Sequence, residues 1–249
     1  MASSSNGRGW QTGKPLSECV ERMLDDEIAT DVNIIIKSPV EGEPDIKIAA
    51  HKFMLCARSP VFEAMFSGSY LESKGEVLIN DAEPGSFRDM LRYIYTDKVS
   101  LTGTNVVQVL NLARKYLLDG LVAECMEFVE NLSSGDVCET LSNSVMLEEE
   151  ELVVKCLRVC DEATADVIES AAFLELTQPA LLRILKHDWL DFQQEEALFK
   201  ACIRWAERKK KTKWYMATLG IYLVNACTKS DFSSLNQNDS SICLEVYLC

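Results

Sequence analysis

The 249-residue chain is 47% hydrophobic and 26% charged, which is enough apolar surface for one large core or two modest ones. Its formal net charge of −14 disfavours binding to nucleic-acid phosphates and to anionic membranes, and favours basic protein partners or plain solubility. The polar start MASSSNGRG lacks the apolar core of a secretory signal, so we expect a cytoplasmic or nuclear protein whose ten cysteines are reduced.

The first half of the chain predicts a few strands inside a shell of helices. Residues 1–14 are polar and without periodicity, and we expect a disordered lead-in there. A helical stripe begins after Pro15, and the apolar runs Val32–Ile36, Ile46–Ile48 and Val77–Ile79 predict strands, the second running on into Lys52. Further helices are predicted to start near Pro60, Pro84, Thr104 and Leu121.

The second half of the chain predicts helices only. Ser133-Ser134-Gly135 is the best candidate boundary, because small residues separate two strongly helical regions there. Helices this close in sequence, joined by short turns, pack as antiparallel hairpins. The sequence therefore predicts an α+β domain followed by an all-α domain of helical hairpins.

Residues that carry chemistry are few. The two histidines, His51 and His187, have no metal-ligand spacing, and no glycine-rich phosphate loop occurs. Cys156 and Cys160 share one apolar helix face, which favours core packing over metal or redox chemistry. The basic run 208–211 predicts a solvated helix end, with a nuclear-import or anion patch as the alternative. We therefore predict no enzyme activity, no metal and no cofactor.

Short features in one fixed order resemble the BTB/POZ domain. They are Asp31-Val32, Ala50-His51-Lys52, Ser59-Pro60-Val61-Phe62 and Leu91-Arg92-Tyr93-Ile94-Tyr95-Thr96. In the second half, Ala171-Ala172-Phe173-Leu174-Glu175-Leu176 and Glu196-Ala197-Leu198-Phe199 are similar to the BACK domain. The arrangement most resembles the family that carries BTB, BACK and then a β-sandwich PHR domain.

The resemblance implies a domain plan. Residues 15–132 would form the BTB/POZ domain, a small sheet within a helical shell, and residues 133–213 an incomplete all-α BACK domain. The resemblance ends after Lys211, so residues 214–249 are expected to be a divergent tail without a recognisable PHR domain.

The resemblance also implies a homodimer that pairs through the first helix of the BTB domain. The residues concerned are Leu16, Val20, Met23 and Leu24, with Asp31 and Lys52 in the charged pocket that the family has near that interface. The alternatives are that the stripe covers only its own core, and that Asp31 and Lys52 form an ordinary ion pair.

Family adaptors bind a cullin-3 scaffold through a hydrophobic-x-Glu motif after the Ser-Pro helix. The residues that match the family's cullin surface are Tyr70, Leu71, Glu72, Tyr116, Leu117, Val137, Leu141 and Val145. An aromatic anchor beside a carboxylate suits such a contact. The alternatives are an exposed loop at Tyr70, a core aromatic at Tyr116 and ordinary bundle packing at Val137 to Val145.

Together these features imply a substrate adaptor of a cullin-3 RING ubiquitin ligase, which dimerises and presents an unknown substrate protein. The alternative is a scaffold outside ubiquitination, such as a transcriptional regulator that pairs with other BTB proteins, or a truncated competitor of full-length relatives.

Overall fold

The computed structural model describes residues 9–38, 44–67, 75–187 and 192–209. Residues 1–8, the Tyr70-Leu71-Glu72 motif and the predicted tail 214–249 lie outside the described residues. The chain divides into two compact units, Met1–Phe128 and Val129–Cys249.

A three-stranded sheet lies in the first unit. Its strands are β1 (Val32–Ile36), β2 (Ile46–Ala50) and β3 (Glu76–Ile79), in the order β2-β1-β3. β1 pairs antiparallel with β2, where Ile34 is opposite Ile48, and parallel with β3, where Ile34 is opposite Val77. β-Branched side chains suit a half-buried pleated surface. The three predicted strands are confirmed, but β2 ends at Ala50, before Lys52.

Helices surround the sheet. Those of the first unit are α1 (Leu16–Asp25), α2 (Lys52–Arg58), α3 (Pro60–Ser67), α4 (Pro84–Thr96), α5 (Val106–Lys115) and α6 (Asp119–Glu130, of which residues up to Phe128 belong to this unit). α4 begins at Pro84 as predicted, and the Glu83 carboxylate accepts hydrogen bonds from the N–H groups of Gly85 and Ser86 at 2.8 and 2.6 Å. This cap satisfies N–H groups that the first helical turn leaves without partners.

The start of α3 has a buried capping residue, Ser59. The Ser59 hydroxyl accepts a hydrogen bond from the Phe62 N–H at 3.3 Å, and it donates one to the main-chain carbonyl of Tyr116 at 2.7 Å. Ser59 is fully buried, so these bonds form away from water, where an unpaired polar group is costly. One side chain therefore joins α3 to the end of α5.

The second unit is all helical among its described residues, as predicted. Beyond the end of α6 it contains α7 (Val137–Met146), α8 (Glu150–Glu162), α9 (Thr164–Glu169), a short 3-10 helix (Ala172–Glu175), α10 (Gln178–Lys186) and α11 (Phe192–Arg208). The buried Trp205 indole N–H donates to the carbonyl of Leu176 at 2.9 Å, which fixes α11 beside the 3-10 helix. With the sheet of the first unit, this confirms the α+β class.

Most cysteines in the described part of the chain serve as core residues. Five of them are free and buried, namely Cys125, Cys138, Cys156, Cys160 and Cys202. Burial raises the pKa of the Cys138 and Cys156 thiols to about 12, because the low-dielectric interior disfavours a thiolate. Within the described residues no cluster of three or more His, Cys, Asp or Glu could hold a metal ion.

Among the described residues, no helix combines the length and the apolar character that crossing a bilayer requires.

The Ser59 site gives a testable expectation for stability. Ser59→Ala removes the cap of α3 and leaves the Tyr116 carbonyl without its buried donor, so we expect a loss of about 2 kcal/mol in the free energy of unfolding. The matched control is Ser133→Ala. Ser133 Oγ also accepts from a backbone N–H near a helix start, that of Asp136 at 3.2 Å, but it is exposed. Urea unfolding should show a clearly smaller loss for the control, and equal losses would contradict the assignment.

Candidate protein-interaction surfaces

The outer face of α1 is the first candidate surface. Glu21 and Asp25 lie one turn apart and both reach Arg92 of α4, at 3.7 and 3.2 Å, so this side of the helix faces its own domain. No residue of α1 is buried. Leu16 is 78% exposed, and at helical spacing Val20 and Met23 continue from it along a neighbouring face. Val20 and Met23 are partly buried, so Leu16 is the residue of this stripe that its own domain leaves uncovered, and exposed apolar surface of this kind is suited to a partner.

Leu24, the fourth residue of the predicted pairing stripe, is placed differently. It is partly buried and lines a cleft beside β2 and α4. It therefore lies at the border between the outer face of α1 and the domain itself.

Asp31 and Lys52 come together at the start of α2. The Asp31 carboxylate accepts a hydrogen bond from the backbone N–H of Lys52 at 2.7 Å, so a residue just before β1 caps a helix 21 positions later. The Lys52 ammonium lies over the Phe66 ring, 5.5 Å from its centroid. Asp31 and Lys52 thus stabilise the start of α2, and this is compatible with a position beside an interface.

Phe53 is a candidate that the sequence analysis missed. It is 77% exposed in the first turn of α2, an unusual position for a large aromatic side chain. The sequence predicts a strand that runs on into Lys52, so it predicts no helical face that would set Phe53 apart from the buried Leu55.

Tyr116 and Leu117 are neighbours in the turn between α5 and α6, but their side chains differ in exposure. Tyr116 is fully buried, with its ring stacked on Phe62 at 4.5 Å between centroids and edge-on to Phe87 at 5.9 Å. Leu117 is 55% exposed and has a φ of +54°, a left-handed conformation that costs a branched residue about 1 kcal/mol or more. As a correction, Tyr116 is a core aromatic in this structure, whereas Leu117 is exposed at the surface.

α7 requires a similar correction. Val137 and Leu141 are fully buried and Val145 is partly buried, because their stripe faces the core of the second unit. The exposed apolar residues nearby are Met146, Leu147 and Val154. Val137 and Leu141 therefore pack inside the second unit, whereas Met146 and Leu147 at the end of α7 and Val154 within α8 are exposed.

The hydrogen bonds of His51 are made to other parts of the first unit and stabilise its fold. Its Nε2 lies 2.8 Å from the carbonyl of Ile28 and its Nδ1 lies 2.8 Å from the Tyr95 hydroxyl. The Tyr95 oxygen also accepts the His51 backbone N–H at 2.8 Å. A neutral ring that donates from Nε2 and accepts at Nδ1 satisfies every one of these bonds. Burial raises the pKa of Tyr95 to about 12.

Comparison with protein families matches both halves of the chain. Residues 20–133 match the BTB/POZ domain model, and residues 137–219 match the model named BTB And C-terminal Kelch, or BACK.

Curated relatives give the same result. The BTB/POZ domain-containing protein 6 of Xenopus laevis is 34% identical over 204 residues, which cover 81% of this chain and 38% of that protein. Human BTB/POZ domain-containing protein 3 is 33% identical over 200 residues, 80% of this chain and 38% of that protein. The chain thus spans about two fifths of the length of these curated relatives.

Two tyrosines in the first unit should respond in opposite ways to loss of the hydroxyl. The buried Tyr116 hydroxyl has no hydrogen-bond partner among the described residues, so Tyr116→Phe should leave the free energy of unfolding at pH 7 unchanged or raise it. Tyr95→Phe leaves the His51 N–H unpaired and should cost about 1–3 kcal/mol. Urea unfolding at pH 7 measures both, and a larger loss for Tyr116→Phe would contradict the burial of that side chain.

Tyr95 also makes the stability of the folded chain depend on pH in the alkaline range. The pKa of Tyr95 is about 12 in the folded chain against an ordinary value of 10.0, so the folded state holds this proton more tightly than the unfolded state. The resulting stabilisation is complete below pH 10 and is lost as the pH rises towards 12. Urea unfolding measured from pH 9 to pH 12, in steps of about one pH unit, should show this decline in the free energy of unfolding. Tyr95→Phe should make the decline shallower.

Proposed function

The chain belongs to the proteins that combine a BTB/POZ domain with a BACK domain, and on that premise we propose that it is a substrate adaptor of a cullin-3 RING ubiquitin ligase. It dimerises through its BTB domain and presents a substrate protein to the ligase in the cytoplasm.

The observation that carries the proposal is the pairing of these two domains in this order along one chain. BTB domains mediate self-association and binding to other proteins. The BACK domain follows the BTB domain directly along the chain. A dimeric cullin adaptor needs a contact with the cullin scaffold and a contact with a second copy of itself. In this role no bond is made or broken by the chain itself.

Leu117 supports the scaffold contact. Exposed leucines with a positive φ are uncommon, and strain of this kind persists only where the surrounding structure enforces it. Here the end of α5 enforces it, because the N–H groups of Leu117 and Leu118 donate back to the carbonyls of Arg114 and Ala113, and Leu117 is exposed at the turn between α5 and α6. Tyr70, Leu71 and Glu72 complete the proposed contact by their position in the sequence, after the helix that starts at Ser59-Pro60.

The outer face of α1 supports the dimer. Leu16, Val20 and Met23 would be covered by the second copy, and Phe53 offers a further large apolar side chain in the same unit. Burial of a leucine or phenylalanine contributes about 1.5–3 kcal/mol. The exposed ion pairs that α1 makes with Arg92 contribute only about 0–1 kcal/mol each. Apolar contacts would therefore dominate the pairing energy.

Binding to the scaffold can be tested with the purified 249-residue chain and an amino-terminal fragment of cullin-3. We expect Tyr70→Ala and Glu72→Lys to weaken binding about tenfold or more, since an anchor and a charged hydrogen bond are each worth about 1.5–3 kcal/mol. Leu117→Gly should also weaken binding while keeping the fold at least as stable, because glycine relieves the positive φ.

The control for Leu117→Gly is Ala29→Gly, which relieves a comparable φ of +61° at another exposed turn. Titration calorimetry measures both. If the wild-type chain does not bind the fragment at micromolar concentrations, the adaptor proposal fails and a scaffold outside ubiquitination is favoured.

Self-association can be tested separately by light scattering. Leu16→Asp combined with Val20→Asp places two charges on the outer face of α1 and should convert a dimer into a monomer, since burying unpaired charges is costly. Val154→Asp, on a residue that is 61% exposed in the second unit, should leave the dimer intact. A wild-type chain that is monomeric at all concentrations would contradict the proposed pairing.

A further inference from the structure

Helix α1 depends on contacts with other parts of the chain for its stability. It has ten residues, and none of them is buried. Isolated helices shorter than about 12–15 residues are marginal in water. The helix starts after Pro15 without a side-chain cap, so the N–H groups of its first turn lack a partner that most helices have.

The second half of α1 is anchored to its own domain. Glu21 and Asp25 pair with Arg92 of α4, at 3.7 and 3.2 Å. Just after the helix, the carbonyl of Ile28 lies 2.8 Å from Nε2 of His51, which is in the link between β2 and α2. The end of α1 is thus joined to two other parts of the first unit.

The chain also forms an ordered turn before α1. Residues 9–14, which the sequence predicts to be part of a disordered lead-in, form a turn, called the N-terminal turn below. In it the N–H groups of Thr12 and Lys14 donate to the carbonyls of Gly9 and Gln11, at 3.0 and 3.1 Å. These bonds fold the chain back before the helix begins.

Two side chains of the N-terminal turn contact α1. The guanidinium of Arg22 lies over the partly buried Trp10 ring, 5.0 Å from the ring centroid. The ammonium of Lys14 lies 3.7 Å from the carboxylate of Glu18. Arg22 also donates a hydrogen bond to Asp26 at 2.9 Å. The turn is therefore attached to α1 both at its first helical turn and further along.

These contacts leave the apolar side of α1 open. Glu18, Arg22 and Asp26 are four residues apart, so they lie along one side of the helix. At helical spacing this side is next to the one that faces Arg92 and away from Leu16. Leu16 accordingly remains 78% exposed. The N-terminal turn thus supports α1 without covering Leu16.

We propose that the N-terminal turn acts as a strap that holds the first half of α1 in place, with Trp10 as its main contact, so that Leu16 is presented for pairing with a second copy of the chain. The inference rests on the proposed dimer, since it concerns how that surface is positioned. Trp10 is a positioning residue, which acts through α1 and does not itself touch the second copy.

The size of the effect follows from the kind of contact. A cation over an aromatic ring at an exposed site changes a conformational equilibrium about two- to fivefold. An exposed ion pair such as that of Lys14 with Glu18 often contributes less. Trp10 is therefore the residue whose loss should be measurable.

The strap itself is tested by amide hydrogen exchange of the 249-residue chain, at a dilution at which the wild type is monomeric. Trp10→Ala should speed exchange in the first half of α1 about two- to fivefold, and should change the half around Asp25 less. Trp10→Phe keeps an aromatic face and should restore most of the protection. Gln11→Ala removes an exposed side chain of the same turn and should exchange like the wild type.

The consequence for pairing is tested by sedimentation equilibrium. Each dimer contains two copies of α1, so the loss in each copy is multiplied. Trp10→Ala should therefore raise the dissociation constant of the dimer by about fourfold to about 25-fold. Gln11→Ala should leave the dissociation constant unchanged.

The two measurements together separate the possible outcomes. Unchanged exchange in α1 for Trp10→Ala overturns the strap. If the dimer weakens while exchange stays unchanged, Trp10 contacts the second copy directly, which also overturns it. Faster exchange with an unchanged dissociation constant overturns the link to pairing. A wild-type chain that is monomeric at all concentrations contradicts the proposed dimer, and the exchange result still decides whether Trp10 holds α1.

Discussion

The Ser59 hydroxyl holds together parts of the first unit that are far apart in sequence. It caps α3 through the Phe62 N–H and donates to the carbonyl of Tyr116, and the Tyr116 ring stacks on the same Phe62. With its backbone bound and its ring enclosed, Tyr116 has no freedom to turn outward. The next residue, Leu117, has the left-handed conformation of a helix end, where the N–H groups of Leu117 and Leu118 donate back to the carbonyls of Arg114 and Ala113. The buried Tyr116 and this helix end together leave Leu117 as the exposed side chain of the turn, and the proposed scaffold contact depends on it.

Much of the fold could be predicted from the sequence because its signals are local. The runs Val32–Ile36 and Val77–Ile79 are β-branched and short, and Pro60 and Pro84 stand at the first turn of their helices. α2 could not be predicted in this way. It has seven residues with one buried side chain, Leu55, and its start is stabilised by Asp31 from another element. Its boundaries therefore depend on tertiary contacts that no local pattern records.

The interaction surfaces were harder to predict than the fold, for a related reason. A leucine or valine at helical spacing looks the same in the sequence whether its face meets a core or a partner. Val137 and Leu141 turned out to be buried in the second unit, whereas Leu16 is exposed. Tyr116 and Phe53 show the same ambiguity for aromatic residues. What separates these cases is whether another element covers the face, as the core of the second unit does for α7, and that information lies elsewhere in the chain.

The buried thiols have a practical consequence. A thiol reacts as its thiolate, and burial keeps the pKa values of Cys138, Cys156 and Cys202 near 12, so the folded chain resists alkylation and oxidation at these sites. Each reagent molecule that couples to them records a moment when the structure has opened. The second unit holds these three thiols, whereas the first holds the buried Cys125. Pulse labelling followed by peptide mass spectrometry can therefore time the opening of each unit separately within the same molecule.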